Sequence, residues 1–359
     1  MEKFSEFITE AKEESYKLIV FQNSSDIIRD VKDTALGELT ELLQKSAKSA
    51  GIEIHFVDFT GLYITSKGNK KYVNSFPFDE DGIVTLPKPK DEEKVTYQKP
   101  IEIDKENTII MPRGLGTITV TNNQTWTDTI QELELEGFLT IPSITNWWNC
   151  SSKYLTDILC RKAGLRTPKT IAITYSDDTE RVMKEFGDKF PIILKSSTGT
   201  QTGVGVVIIE SMRSLYSSVQ MLKLYEKHLP IIVQEYIKTD YDVRVVILDG
   251  QILGSMKREV ITDGDFRSNV SLGAKSYPIE LTEIEKRDSI IAAKAVSGRL
   301  VGVDFIPAKN RETEQPYILE VNSMPGFGGI EKIQKGLTVE IFKHFLNRDN
   351  WSLDKPDET

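Results

Sequence analysis

The sequence predicts an α/β chain with α+β subdomains toward its C-terminal end, and three observations carry that reading. Near the N-terminus, "YKLIVFQNS" (16–24), "KDTALGELTELLQKSAKSAG" (32–51) and "IEIHFVDF" (52–59) alternate β-like and helical runs, the order of an open α/β domain. In the middle, the apolar run "FPIILK" (190–195) passes through "SSTGTQTG" to a returning strand "VGVVIIE" (204–210) and an amphipathic helix over 211–227. In the last third, three strand candidates precede a helix over 282–299 and a closing strand pair. The boundaries that follow are an N-terminal α/β domain at 1–142, a central subdomain at 143–230, a C-terminal subdomain at 231–350 and a tail at 351–359.

Bulk properties exclude several functions. The chain has 359 residues, 39% of them apolar, which suits ordinary folded cores. No run approaches the ~18 apolar residues of a membrane span, and Met1 to Ser15 is charged and amphipathic rather than a signal peptide; a cytoplasmic setting is expected. Cys150 and Cys160 are too few for a disulfide framework, and His55, His228 and His344 have no zinc-ligand spacing. A net charge of -9 argues against broad nucleic-acid binding and leaves small anions as ligands of a local basic site.

Between these runs, residues 66–107 are polar and Pro-containing, "TLPKPKDEEK" especially, and read as a loop or solvated excursion. "TIIMPRG" (108–114) restores a strand, with a helix to follow around 125–137; "GLGTIT" (114–119) lacks the third glycine of a dinucleotide fingerprint and counts as a turn. Ser151 or Ser152 caps a helix ending near Gly164, and Thr167-Pro168 enforces an extended exit. "LPIIVQEYI" (229–237), "DVRVVILDG" (242–250) and "QILGSMKREV" (251–260) are the three strands, and "LVGVDFIPA" (300–308), the loop "KNRETEQP" and "ILEVNSMPG" (318–326) form a hairpin before a terminal helix from about 330.

Polar residues in these strands suggest chemistry. Side chains alternate along a strand, so Glu320 and Asn322 share a face with Ile318, away from Leu319 and Val321. A neighbouring strand adds Asp304, and these oxygen groups suit Mg²⁺, although an edge hairpin with a wet polar face would look the same. Lys195 directly precedes a loop holding Gly199, Gly203 and Gly205, either a plain hairpin turn or a lid whose backbone N–H groups approach a phosphate. It is not a Walker A motif, because no G-K-[ST] is present and a strand follows. "KREVITDGDFRSNVSLGAK" gathers Lys257, Arg258, Arg267, Asn269, Gly273 and Lys275, more cationic capacity than a solvated loop requires. Their order along the chain suits nucleotide-dependent transfer.

"DGDFRSNVSLGA", "GVDF" and "LEVNSMPGFGGIEK" resemble the ATP-grasp superfamily, specifically its RimK-like carboxylate–amine ligases, and "IIMPRGLGT", "SSKYLT" and "ILKSSTGTQTGVGVVIIE" agree. The resemblance covers about 109–345; the first hundred residues match only as a generic α/β domain. It implies an ATP-grasp fold with ATP bound between two subdomains. Lys153 and Lys195 would contact its phosphates, Gln234, Glu235 and Tyr236 would form the hinge beside adenine, and Asp242 would take the ribose side. Asp304, Glu320 and Asn322 would hold two Mg²⁺ ions, with Mn²⁺ able to substitute; Arg258 would stabilise the transferring phosphoryl group, and Arg267 with Asn269 would face the acceptor. One extra residue before "GDFRSN" leaves the register of Lys257, Arg258 and Glu259 open. The implied reaction turns a carboxylate of a peptide, protein or small acid into an acyl phosphate that an amine or amino acid attacks. Rival readings are peptide cyclisation or thiol ester formation, a non-catalytic nucleotide-binding module, and an interaction protein using 66–107. Neither membrane nor nucleic acid is expected as a partner, and a homo-oligomer is left open.

Overall fold

The computed structural model describes residues 15–22, 35–75, 99–113, 123–173, 179–196, 206–225, 231–259, 275–326, 328, 331 and 334–351. The chain divides into two compact units, one of residues 1–114, 125–141 and 338–359, the other of residues 115–124 and 142–337.

The first unit is built on β1 (Lys17–Gln22), joined through α1 (Ala35–Ala50) to β2 (Glu53–Asp58). Next come β3 (Tyr63–Lys67), β4 (Lys70–Asn74), β5 (Ile101–Ile103), β6 (Thr108–Pro112), α2 (Asn123–Leu135) and β7 (Leu139–Thr140). A parallel sheet runs β2-β1-β6-β7. Its inner strands are continuous apolar runs because both faces are covered: Leu18 to Phe21 and Ile109 to Met111 are all buried. Residues 66–107 depart from the expected excursion, since β3, β4 and β5 form an antiparallel sheet. Its inner face is small, holding Val73, Ile101 and Ile103, while Lys70 and Glu102 pair on the wet face at 2.7 Å. Charge on one face therefore masked the period-2 signal of the other. Residues 76–98 and the "GLGTIT" turn lie outside the described residues.

The second unit begins with α3 (Ile144–Ser151) and α4 (Lys153–Lys162), followed by β8 (Thr170–Ile173), α5 (Thr179–Glu185), β9 (Ile192–Ser196), β10 (Val206–Ile209), α6 (Met212–Tyr225) and β11 (Ile231–Glu235). It continues with β12 (Tyr241–Leu248), β13 (Gln251–Glu259), β14 (Ser276–Pro278), α7 (Glu283–Ala295), β15 (Leu300–Ile306), β16 (Tyr317–Asn322) and α8 (Leu337–Leu346). Ser152 is the α4 cap, accepting from the Leu155 amide, and Gly164 sits just past the helix at φ +79°. The first sheet runs β10-β9-β11-β8; its core holds Leu194, Ile231 and Val233 with Met183 of α5 and Leu215 of α6.

The second sheet runs β14-β13-β12-β15-β16 and is antiparallel throughout. One face packs Val243, Val245, Val303, Phe305 and Val321 against Cys160 of α4 and Ala292 and Ala293 of α7. The alternate positions on the other face include Asp242, Arg244, Arg258 and Asp304, beside the buried Val246 and Met256. The hairpin contains one correction to the expected alternation. Asp304 pairs with Glu320 but Phe305 pairs with Ile318, so β16 carries a bulge that places Ile318 in the same core as Val321 rather than beside Glu320. Among the described residues, no helix is long and apolar enough to cross a membrane.

Candidate active site

The polar face of the second sheet carries a row of charge set by strand register. Arg258 of β13 lies opposite Asp242 of β12, and Arg244 of β12 lies opposite Asp304 of β15, which in turn faces Glu320 of β16. Arg258 forks onto Asp242 with Nε–Oδ1 and Nη2–Oδ2 both at 2.7 Å. Arg244 forks onto Asp304 at 2.7 and 2.6 Å. Arg258 also reaches Asp304 Oδ2 at 3.3 Å, and Asn322 Nδ2 donates to the same oxygen at 3.4 Å. Asp242, Arg258 and Asp304 are buried, so these bidentate contacts act with little solvent screening.

Electrostatics follow from that geometry. Burial by itself would raise the Asp304 pKa, but Arg244 and Arg258 outweigh it and hold the carboxyl below its ordinary value. Burial likewise works to lower the Arg258 pKa, and Asp304 and Asp242 more than offset it, so the guanidinium is held charged more firmly than usual. The register of β13 is now defined: Arg258 turns into the row, while Lys257 and Glu259 pair with each other at 2.7 Å.

One lysine stands at the carboxylate end of the row, and a second is buried in the first sheet of the same unit. Lys153, the first residue of α4, brings Nζ to 3.9 Å from Glu320 Oε2. Lys195 of β9 is buried and donates to Gln234 Oε1 of β11 at 2.9 Å, and Gln234 in turn donates to Thr170 at 2.8 Å. Burial depresses the Lys195 pKa to about 8; Glu320 and Asp157 work against the fall and Lys153 adds to it. At the end of β11, the Glu235 amide donates to the Lys169 carbonyl at 2.8 Å and its carboxylate accepts from the Lys169 amide at 3.2 Å; Tyr236 follows in the connection to β12. Gly199, Gly203, Gly205, Arg267, Asn269 and Gly273 lie outside the described residues.

The donor chemistry fits a hard divalent cation. Glu320 is half-buried, Asn322 offers an amide oxygen, and Asp304 Oδ1 retains acceptor capacity beyond its single bond from Arg244. Among the described residues, no three His, Cys, Asp or Glu side chains gather to hold a metal, so two carboxylates and one amide make up this set. Neither cysteine offers a thiolate: burial, with Cys160 and Glu320 nearby, pushes the Cys150 thiol up, and burial with Asp157 pushes Cys160 up to about 12.

Sequence reasoning missed two members of this neighbourhood. Arg244 sits two residues from Asp242 on one strand and so shares its face, a period-2 signal present in "DVRVV". Asp157 lies one helical turn after Lys153 and one turn before Arg161, a spacing shared with ordinary surface ion pairs and so without a distinguishing signal.

Comparison with known proteins agrees with this architecture. The model of the RimK-like ATP-grasp domain matches residues 150–347. The probable alpha-L-glutamate ligase of Legionella pneumophila (strain Corby) is 32% identical over 225 residues, 62% of this chain and 70% of that protein. ATP-grasp ligase PsnB, solved with a phosphomimetic variant of minimal precursor, Mg and ADP, superposes with a TM-score of 0.60 at 17% identity, covering 93% of this chain and 98% of its own. Macrocyclase MdnC of Microcystis aeruginosa MRC, bound with precursor peptide MdnA, gives 0.59 at 17% identity over 92% and 99%. These structures share the ATP-grasp fold with this chain. The family match spans more than half of the chain and takes in the charged row and both lysines, and the chain belongs to the RimK-like ATP-grasp family as an ATP-dependent carboxylate–amine ligase.

Proposed function

We propose that the enzyme activates the carboxylate of a peptide or protein as an acyl phosphate and couples it to an amino acid or amine, with Mg²⁺ held by Asp304, Glu320 and Asn322. The observation that carries this reading is the row Arg258–Asp242–Arg244–Asp304–Glu320, with Lys153 at its end, set by strand register. The peptide acceptor is supported by the solved neighbours, which hold precursor peptides; the amino acid partner is supported by the glutamate ligase relative. Free thiols at Cys150 and Cys160 suit a reducing, cytoplasmic setting.

Charge dictates the chemistry. A carboxylate has no competent leaving group until it is phosphorylated, and bringing it to a polyphosphate forces two anions together. Lys153 and Lys195 receive phosphate charge, Gln234 orients Lys195, and Gln234, Glu235 and Tyr236 border the adenine. Arg258 meets the transferring phosphoryl group, held by Asp242 rather than leaving that residue to the ribose. Arg267 and Asn269 receive the acceptor carboxylate, and Gly199 and Gly203 belong to the phosphate-binding set. When bound, Mg²⁺ supplies neutralisation of the β- and γ-phosphate charge.

The test is purified protein with ATP, Mg²⁺ and panels of acids and amines, read by phosphate release and product mass. With acid but no amine, hydroxylamine should trap a hydroxamate; none with any productive acid overturns the acyl phosphate. Arg267→Ala should lower turnover about a hundredfold with ATP binding kept; a matching loss of ATP binding moves Arg267 to the nucleotide site. A product lighter than the acceptor by one water, with no amine added, would instead mark intramolecular ring closure, the reaction class of the MdnC macrocyclase.

A further inference from the structure

Strand β15 reads "LVGVDFI", and its side chains alternate: Val301, Val303 and Phe305 enter the core shared with α4 and α7, so Gly302 lies on the charged face with Asp304. A glycine inside a strand costs entropy and packing, and it marks a place where other atoms approach the backbone closely. Gly302 is paired on both sides, with Val246 of β12 and with Asn322 of β16. Its backbone is ordinary strand, so space rather than conformational freedom is what a side chain there would disturb.

The occupant of that space is Pro325. A Cβ on Gly302 would lie 3.1 Å from Pro325 Cβ, and 3.8 Å from both Pro325 Cα and Arg244 Nε. Carbon atoms in contact rest about 3.5–4.0 Å apart, so the first approach is a collision and the other two are normal contacts. Pro325 is itself buried. The chain leaving β16 at Asn322 therefore turns back over the charged face and seats its proline on bare backbone.

Only one side of this contact can yield to a methyl group. β15 is held by its ladders to β12 and β16 and by Val301 and Val303 in the core. Residues 323–326 belong to no strand or helix, so the collision moves the turn and with it Asn322, whose Nδ2 donates to Asp304 Oδ2 at 3.4 Å. The Arg244 fork on Asp304, at 2.7 and 2.6 Å, keeps its room.

We propose that Gly302 is a positioning residue: its missing side chain seats Pro325, and the seated proline fixes the Asn322 amide beside Asp304 for the metal. This rests on the reading of Asn322 as a Mg²⁺ ligand given above.

The test follows binding of the non-hydrolysable analogue AMPPNP by calorimetry across a Mg²⁺ titration, beside denaturant unfolding without metal. Gly302→Ala should need about tenfold more Mg²⁺ for half-maximal binding, the scale seen when the support of a metal ligand is disturbed, with the metal-free unfolding midpoint near wild type. Pro325→Gly, which adds no bulk, should need about threefold more, and the double variant should match Pro325→Gly instead of multiplying the two effects, because the collision is gone. Placed on top of Asn322→Ala, Gly302→Ala should change nothing further. Multiplicative effects in either pair, or a wild-type Mg²⁺ requirement in Gly302→Ala, overturn the proposal. If Gly302→Ala does not fold, Pro325→Gly decides: a wild-type Mg²⁺ requirement in that variant overturns it. Asn322→Ala separates the two readings. No effect there removes Asn322 from the metal site and this role with it; a raised requirement there and none in Gly302→Ala leaves the metal assignment standing and sinks only the positioning role.

Discussion

Arg244 decides more of this site than its place in the sequence suggested. Both of its fork hydrogens end on Asp304, and Arg258 meets the same carboxylate from the neighbouring strand. Arg244→Ala should therefore cost about 3 kcal/mol in unfolding free energy, because a buried carboxylate loses its main partner. It should also lower turnover about a hundredfold, with Lys rescuing poorly since a point charge cannot reproduce the fork; a variant with wild-type denaturation midpoint and turnover would remove Arg244 from the site. Glu320→Ala should abolish Mg²⁺-dependent phosphate release while leaving a cooperative unfolding transition. The pH dependence has a defined sign at Lys195. Its folded pKa of about 8 lies below the ordinary 10.5, so the lysine is cationic below about 8 and nucleotide affinity should fall as pH rises through that value. In stability the sign is opposite: burying the charge costs most below about 8, and the cost fades as pH climbs toward 10.5. These residues were individually legible as types, and Asp304, Glu320, Asn322, Lys153 and Lys195 came from motif and face. Which arginine grips which carboxylate depends on strand pairing that no local pattern states.

Elements explain why the row holds still. β12 is central in its sheet, so its polar positions are flanked on both sides by strands, and the opposite face is locked by Val243, Val245 and Phe305. Phe305→Ala should remove about 3–5 kcal/mol of stability through lost transfer energy and a cavity, seen in a denaturant titration, with turnover falling only as the folded fraction falls. Helix α7 covers that face and starts at a reciprocal cap in which Thr282 accepts from the Glu285 amide and Glu285 returns the bond. Arg311 clamps the buried Glu285 at 2.7 Å. Thr282→Ala should cost about 1 kcal/mol with kcat unchanged; a loss of activity at full folding would mean that α7 does more than support the sheet. Long apolar strands and the longer helices were readable to within a few residues, whereas the short helices α3 and α5 were not. The short elements β3 to β5, β8 and β14 were not, because few side chains in each face the core and charged neighbours dominate the pattern.

On the scale of the molecule, a ligand that binds only the folded second unit stabilises it by mass action. AMPPNP with Mg²⁺ at about a hundred times its Kd should add about 2.7 kcal/mol to that unit's unfolding, and chelating the metal should remove most of the gain; an unfolding curve indifferent to EDTA would count against Asp304, Glu320 and Asn322 as ligands. The sequence by itself determined the α/β class and the strand order on either side of Lys195, because apolar periodicity is a local property, and the family through the resemblance of motifs such as "GVDF" and "LEVNSMPG". Tertiary structure alone decided that Asp242 serves Arg258, that a bulge sends Ile318 into the core while Glu320 stays on the polar face, and that Asp157 is buried. The physical reason is range: these outcomes are set by register between strands and by a helix packed across two sheets, joining residues from 16 to 60 positions apart in the carboxylate–arginine pairs.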